Sequence, residues 1–283
     1  MFSKRLIITA DDFGLAEGIN AGIAKAFKAG IVRCASLSAC GGSFENAAKI
    51  AKSTGLEIGA HLTFLEERPV LGPEKVPFIV GKSGSFLDSL PGFISTLYVR
   101  KEALKNIESE AKAQIEKILD TGIKPVFLNS HRHLHMLPPL FRQFISLADK
   151  YGIKAIRLAN EYPIRNHLFD KNTLFRWPGV LLLKSLSAFN KKYIRSTGLK
   201  YNDYSAGILR SGHLDLEAVT AILKEIPLAT TEFICHPAAQ EDALPSYKHW
   251  RYDWQQELAV LLSPALKKKM TEERIEPIGF KDL

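Results

Sequence analysis

Short apolar runs of strand length alternate with longer stretches of helical spacing along most of the chain. The first run, Leu6-Ile7-Ile8, reads as a buried strand and leads into Thr9-Ala10-Asp11-Asp12-Phe13-Gly14. Ile19, Ile23, Ala24 and Phe27 then recur near helical spacing over 16–29, and Gly30 supplies a stop. A second strand is expected over 32–38, a second helix over 44–52 and a third strand over 56–62. Strand, helix and strand at this short spacing predict a parallel sheet with right-handed crossovers.

The rhythm breaks over 63–99, where Pro69, Pro73, Pro77 and Pro91 fall among several glycines. That stretch reads as a long loop with at most a short helix. Long loops in compact α/β domains usually form lids or rims. Helix returns over 102–121, with Ala103, Ile107, Ala111, Ile115 and Ile118 on one face. Further strands are expected over 126–130, 155–158, 204–208, 230–235 and 275–278, and helices over 138–151, 215–226 and 254–262. Between them, 180–195 mixes apolar residues with Lys184, Lys191, Lys192 and Arg195. An outer helix packed on the sheet explains this better than a helix lying on a membrane, because most such helices face a core. No composition break marks a linker, so residues 1–283 are expected to form one α/β domain.

Composition narrows the class. An apolar share of 46% and a charged share of 24% are ordinary for a globular protein, and 283 residues bury a sizeable core without disulfides. The net charge of +8 is scattered, apart from Lys267-Lys268-Lys269 and Lys191-Lys192, and matches no nucleic-acid-binding module. No nucleic-acid partner is expected. Cys34, Cys40 and Cys235 are odd in number and lack CxxC spacing, which fits a reducing compartment. No signal-like apolar stretch precedes the first strand and no run is long enough to span a bilayer, so a cytoplasmic location is expected.

The candidate chemistry lies at strand ends. In parallel α/β sheets these ends face the ligand site. Asp11 and Asp12 close the first strand, and adjacent carboxylates repel unless a cation or proton is shared. One Asp alone would suit a helix N-cap. His61, His131 and His236 close three other strands, however, and in a closed ring all these side chains converge at one mouth. A carboxylate with two neutral imidazoles is a common facial set for a divalent ion. A single strand-end histidine is ordinarily a structural hydrogen-bonder; repetition on separate strands favours metal. His131, His133 and His135 alternate, and His131 is the favoured ligand because it sits nearest its strand. His133 and His135 are expected to line the substrate cleft or support the ligands. Arg132, pointing the other way, is read as structural. Arg157 and Glu232, also on strands, are further candidates for substrate contact.

Thr9-Ala10-Asp11-Asp12-Phe13-Gly14 resembles the opening motif of the YdjC-like carbohydrate deacetylases, which include chitooligosaccharide deacetylases and deacetylases linked to hopanoid biosynthesis. Gly59-Ala60-His61-Leu62-Thr63, Asn129-Ser130-His131-Arg132-His133-Leu134-His135 and Glu232-Phe233-Ile234-Cys235-His236-Pro237 resemble its later motifs, in order. The resemblance implies an irregular (β/α) barrel of about seven parallel strands, as in the polysaccharide deacetylases. It implies Asp12, His61 and His131 as metal ligands, Asp11 as general base and His236 as the acid-side histidine. It also implies one divalent ion, with Mg2+, Zn2+ and Mn2+ open, and an acetylated amino sugar or glycolipid as substrate. Many members carry Asp in place of Asn129 and His in place of Arg132; the first change removes a charge close to the metal.

The residues suit that chemistry in their own right. Amide hydrolysis needs an activated water, a stabilised oxyanion and a proton for the amine, and an ion, an Asp and a His supply these. Phe64, Trp177, Tyr247 and Trp250 are candidate sugar platforms, with rim packing equally open for each. A metal-dependent hydrolase of a phosphoester or another amide, and a non-enzymatic sugar-binding protein, are the alternatives. Peripheral membrane contact and a homodimer are left open.

Overall fold

In a computed structural model of the chain, residues 4–168, 173–240 and 244–283 are described. The strands are β1 (Lys4–Phe13), β2 (Cys34–Leu37), β3 (Glu57–Leu62), β4 (Phe127–Ser130), β5 (Ala155–Ile156), β6 (Tyr204–Ala206), β7 (Thr230–Cys235) and β8 (Ile275–Ile278). The helices are α1 (Glu17–Lys28), α2 (Phe44–Thr54), α3 (Leu90–Val99), α4 (Lys101–Asp120), α5 (Pro138–Lys150), α6 (Arg165–Leu168), α7 (Trp177–Ile194), α8 (Leu216–Glu225), α9 (Trp254–Leu262) and α10 (Pro264–Glu272).

Seven strands run parallel in the order β5-β4-β3-β2-β1-β7-β6 and curl into a partial barrel, confirming the expected α/β barrel. Between β5 and β6 the ladder shrinks to isolated bridges, Ala155 to Lys200 and Glu161 to Ser205. β8 pairs with Lys4 to Ile7 of β1, while β2 pairs further along, from Thr9 to Phe13. β7 takes the other edge. Two strands therefore share one edge of β1, and β8 fills the gap where β1 and β2 part.

Alternation along the strands sorts the interior into layers. Ile7, Cys34, Phe127, Ala155, Ile278 and Phe280 form a small apolar cluster at the strand starts. Two residues further along β2 and β4 come Ser36 and Asn129, and two beyond Ala155 comes Arg157; all three are buried. Leu6, Ile8, Ala10, Ala35, Ile58 and Leu128 point the other way, into the larger core beneath the helices.

The 63–99 region is largely loop with one short helix, as expected. It contains α3, and Phe86, Phe93 and Phe144 of α5 pack around Phe64. Glu110 of α4 accepts from the backbone N–H groups of Val70 and Leu71, tying the stretch to the barrel wall. Phe64 is fully buried, so it is a core residue and not a sugar platform. The 180–195 segment lies largely within α7, which packs through Val180, Ser187, Asn190 and Ile194 and leaves Leu181, Leu182 and Phe189 exposed. All three cysteines are free. Among the described residues, no helix is long and apolar enough to cross a membrane.

Candidate metal centre and active site

The site is built on an irregularity in β1. Ala10 pairs with Ala35, but the next pairing is Phe13 with Leu37, so β1 carries one extra residue there. Asp12 takes a left-handed φ of 66°, as a bulge position allows for Asp. In a regular strand neighbouring side chains point to opposite faces. The bulge instead turns Asp11 and Asp12 to the same mouth, where both are buried.

Asp12 Oδ1 lies 3.1 Å from His131 Nδ1 and 3.3 Å from His61 Nε2. Ligands about 2.0–2.2 Å from a shared divalent ion sit roughly 3–3.5 Å apart, so the spacing suits one cation. His61 Nε2 and His131 Nε2 are buried without a hydrogen-bond partner, as expected of groups arranged for something other than each other. Asp12, His61 and His131 are thus a group able to hold a metal ion. Burial pushes the Asp12 pKa up, but His131 and His61 outweigh it and hold the carboxyl well below its usual range. Burial likewise pushes His61 down, and Asp12 and Asp11 outweigh it, raising the net value.

Asp11 sits one layer deeper. Its oxygens accept from Arg157 Nη1 at 2.6 Å, Arg157 Nη2 at 2.9 Å and Ser36 Oγ at 2.6 Å. Arg157 also donates to both oxygens of Glu232, at 2.7 and 2.9 Å. Burial opposes charge on Asp11, but Arg157 and His61 override it and keep the carboxylate ionised. His236 follows β7, on the opposite side of β1 from β2 and β3. Its backbone N–H donates to Glu257 Oε2 at 2.6 Å, and its ring meets Tyr252 edge-on at 5.1 Å. Burial lowers its pKa, leaving a neutral imidazole near neutral pH.

Several expected substrate contacts lie elsewhere. Arg157 and Glu232 are fully buried and spend their polar atoms on each other and on Asp11, which makes them positioning groups out of a sugar's reach. His135 is also fully buried: its Nδ1 meets Ser130 Oγ at 2.9 Å and its Nε2 meets the Arg157 carbonyl at 3.1 Å. The cause is local backbone. Arg132 and His133 both adopt left-handed φ, 51° and 55°, so the segment coils: His131 meets Asp12, while the His133 and His135 rings lie edge-on to each other, 6.2 Å apart. His133 reaches an apolar groove of about 540 Å³ between α3 and α7. Arg132 stands at the rim, paired with Glu66.

A cleft of about 960 Å³ is lined by Glu17, Glu66, Arg68, Asp88, Arg132 and Tyr247 among others, while Asp12, His61 and His131 lie outside its wall. Tyr247 donates to Glu67 at 2.9 Å. Trp250 stacks on His131, with ring centroids 5.0 Å apart, and donates to Glu66 at 2.7 Å. Trp177 opens α7. Ser36 and Glu257 escaped the sequence reading. Strand alternation would have found Ser36, two residues beyond core Cys34; no local pattern marks Glu257.

A family model described as YdjC-like protein matches residues 5–272. The chain belongs to the YdjC-like family. Among similar proteins, the carbohydrate deacetylase of Clostridium beijerinckii is 26% identical, over 99% of this chain and all of that protein. The carbohydrate deacetylase of Geobacillus stearothermophilus is 28% identical, over 98% and 96% of the two chains. That of Mus musculus is 27% identical, over 99% and 94%. A crystal structure from Enterococcus faecalis, described as that of a putative cellobiose-phosphate cleavage protein, aligns with a TM-score of 0.76 and 22% identity over 99% of this chain and 98% of that one. It shares the fold described here.

Proposed function

We propose that this YdjC-like chain removes the acetyl group from an N-acetylated amino sugar with the help of one divalent ion held by Asp12, His61 and His131. The observation that supports it is the meeting of those three donors with Asp11 and His236 at one mouth of the ring. Relatives named carbohydrate deacetylase over nearly their full length point the same way. The donor set suits Zn2+, Mg2+ or Mn2+.

When bound, the ion supplies polarisation of the acetyl carbonyl and acidification of water. Asp11 accepts the proton of the attacking water; Arg157 and Ser36 fix its aim. His236, on the far side, protonates the departing amine from its minor imidazolium form, having taken that proton from solvent beforehand; the burial that lowers its pKa makes this form scarcer and a stronger acid. Tyr247 lines the cleft proposed for the sugar, and Trp250 packs against Tyr247.

A lipid-linked amino sugar is favoured by one feature. The apolar groove between α3 and α7 shares Arg132 with the polar cleft, and Leu181, Leu182 and Phe189 are exposed on α7. Such a surface suits peripheral membrane contact. Failure to bind anionic liposomes at low salt would count against it.

The activity test is acetate release from N-acetylglucosamine oligomers and an acetylated glycolipid with each metal. Release that disappears in Asp11→Asn supports the reading. Metal uptake without acetate from any acetylated glycan would point to a different substrate, such as a phosphoester.

A further inference from the structure

The two histidines of the proposed metal group are held by different means. Asn129 lies 2.7 Å from His61 Nδ1, the kind of neighbour that ordinarily fixes a ligand ring. His131 has no such neighbour. One of its ring nitrogens faces Asp12, and the other is buried without a hydrogen bond. What meets its face is Trp250, stacked with ring centroids 5.0 Å apart and planes 27° off parallel.

Trp250 is in turn fixed at its edge. Its indole N–H donates to Glu66 Oε2 at 2.7 Å, and Glu66 Oε1 accepts from Arg132, the residue after His131. His249 Nε2 lies 3.2 Å from Glu66 Oε2. Buried Trp254 stacks on Trp250 at 5.9 Å. Glu66 therefore ties together the loop after β3, the turn after β4 and the segment that carries Trp250. Each of these pieces holds a non-glycine residue in left-handed backbone at the junction: Glu66 at φ 68°, Arg132 at 51° and Arg251, beside Trp250, at 55°. Such backbone persists only where its surroundings over-determine it, and it gathers at functional sites.

We propose that Trp250 is a positioning residue that sets the plane of His131 in the metal group, and that Glu66 is the latch that keeps it there. A flat indole does for His131 what a hydrogen-bonding neighbour does for His61. Contact through the ring face fixes the tilt of the imidazole and leaves its edge to the ion. The inference rests on the metal reading above and not on the identity of the substrate.

The test titrates Co2+ into chelator-treated wild type, Trp250→Leu, Trp250→Phe and Glu66→Ala, by calorimetry and by the visible absorption of the bound ion. Losing the group that orients a metal-bound histidine typically costs about 10- to 100-fold in affinity, and Trp250→Leu should lose that much. Its Co2+ bands, which report coordination geometry, should shift as well. Trp250→Phe keeps a flat ring and should restore most of the affinity and the wild-type bands. Wild-type affinity and bands in Trp250→Leu overturn the proposal, and so does a Trp250→Phe that falls as far as Trp250→Leu. Should Trp250→Leu not fold, Glu66→Ala decides. Its tryptophan emission should become more open to acrylamide quenching and its Co2+ affinity should drop; unchanged affinity overturns the proposal. No Co2+ uptake by the wild type overturns the metal reading and this proposal together. Uptake that depends on Trp250, without acetate release from any glycan, supports this proposal and sinks the deacetylase reading alone.

Discussion

Arg157 binds Asp11 and Glu232 inside the ring, with all three side chains buried. Removing one member of such a group strands charges that water cannot reach. Arg157→Met leaves two carboxylates unpaired and is expected to lose about 3–5 kcal/mol, read from urea denaturation. Asp11→Asn keeps the Arg157–Glu232 pair and should lose less. Because the Asp11 pKa is depressed in the fold, its contribution is present above the unfolded value and is lost as pH falls below it. Glu257 behaves in the opposite sense. Burial pushes its carboxyl up to about 8 from 4.5, against the pull of the backbone N–H groups of His236, Leu214 and Gly212. Between those two values the unfolded chain ionises while the folded one stays neutral, so stability falls as pH rises through that window. Glu257→Gln is expected to flatten the slope, measured as urea midpoints at about pH 5 and about pH 8.

At the scale of elements, α1 presses on the loop that carries His236. A Cβ on Gly22 would lie 2.6 Å from Ala238 Cα and 2.8 Å from the Pro237 carbonyl oxygen. Gly22→Ala should cost roughly 1–3 kcal/mol and displace His236, so thermal stability and acetate release should fall together. Strands and helices such as β3 and α4 were legible because their apolar positions recur at one clear period. The β1 bulge was not. Its cause is a pairing offset with β2, which involves residues distant in sequence, and Asp11-Asp12 reads alike with or without it. The same limit applies at His131 to His135, where left-handed backbone at Arg132 and His133 replaces the extended path that alternation suggests. Prolines over 63–99 suggested a long loop with a short helix, and Phe64, Phe86 and Phe93 tie that stretch into the main core. Asp11, Asp12, His61, His131 and His236 stood out because strand ends in a parallel ring must converge, and the family resemblance singled out Asp12, His61 and His131 among them. Arg157 and Glu232 were assigned to substrate because their depth within the ring is set by layers, and no local motif marks it.

For the whole molecule, an ion at the mouth would join residues from β1, β3 and the turn after β4. Binding to the folded state alone stabilises it by mass action, by about 2.7 kcal/mol when the ion stands at about 100 times its Kd. Chelation is therefore expected to lower Tm, and His131→Ala should abolish the difference between chelated and metal-loaded samples in calorimetric scans. The pairing of β1 carries a consequence for synthesis. Its first half is zipped by β8 and its second by β2, along the same edge. The strand that bears both aspartates is thus completed by a segment translated long after it. A nascent chain halted before Ile275 lacks the partner for the first half of that edge and leaves the ribosome with the floor of its ring open.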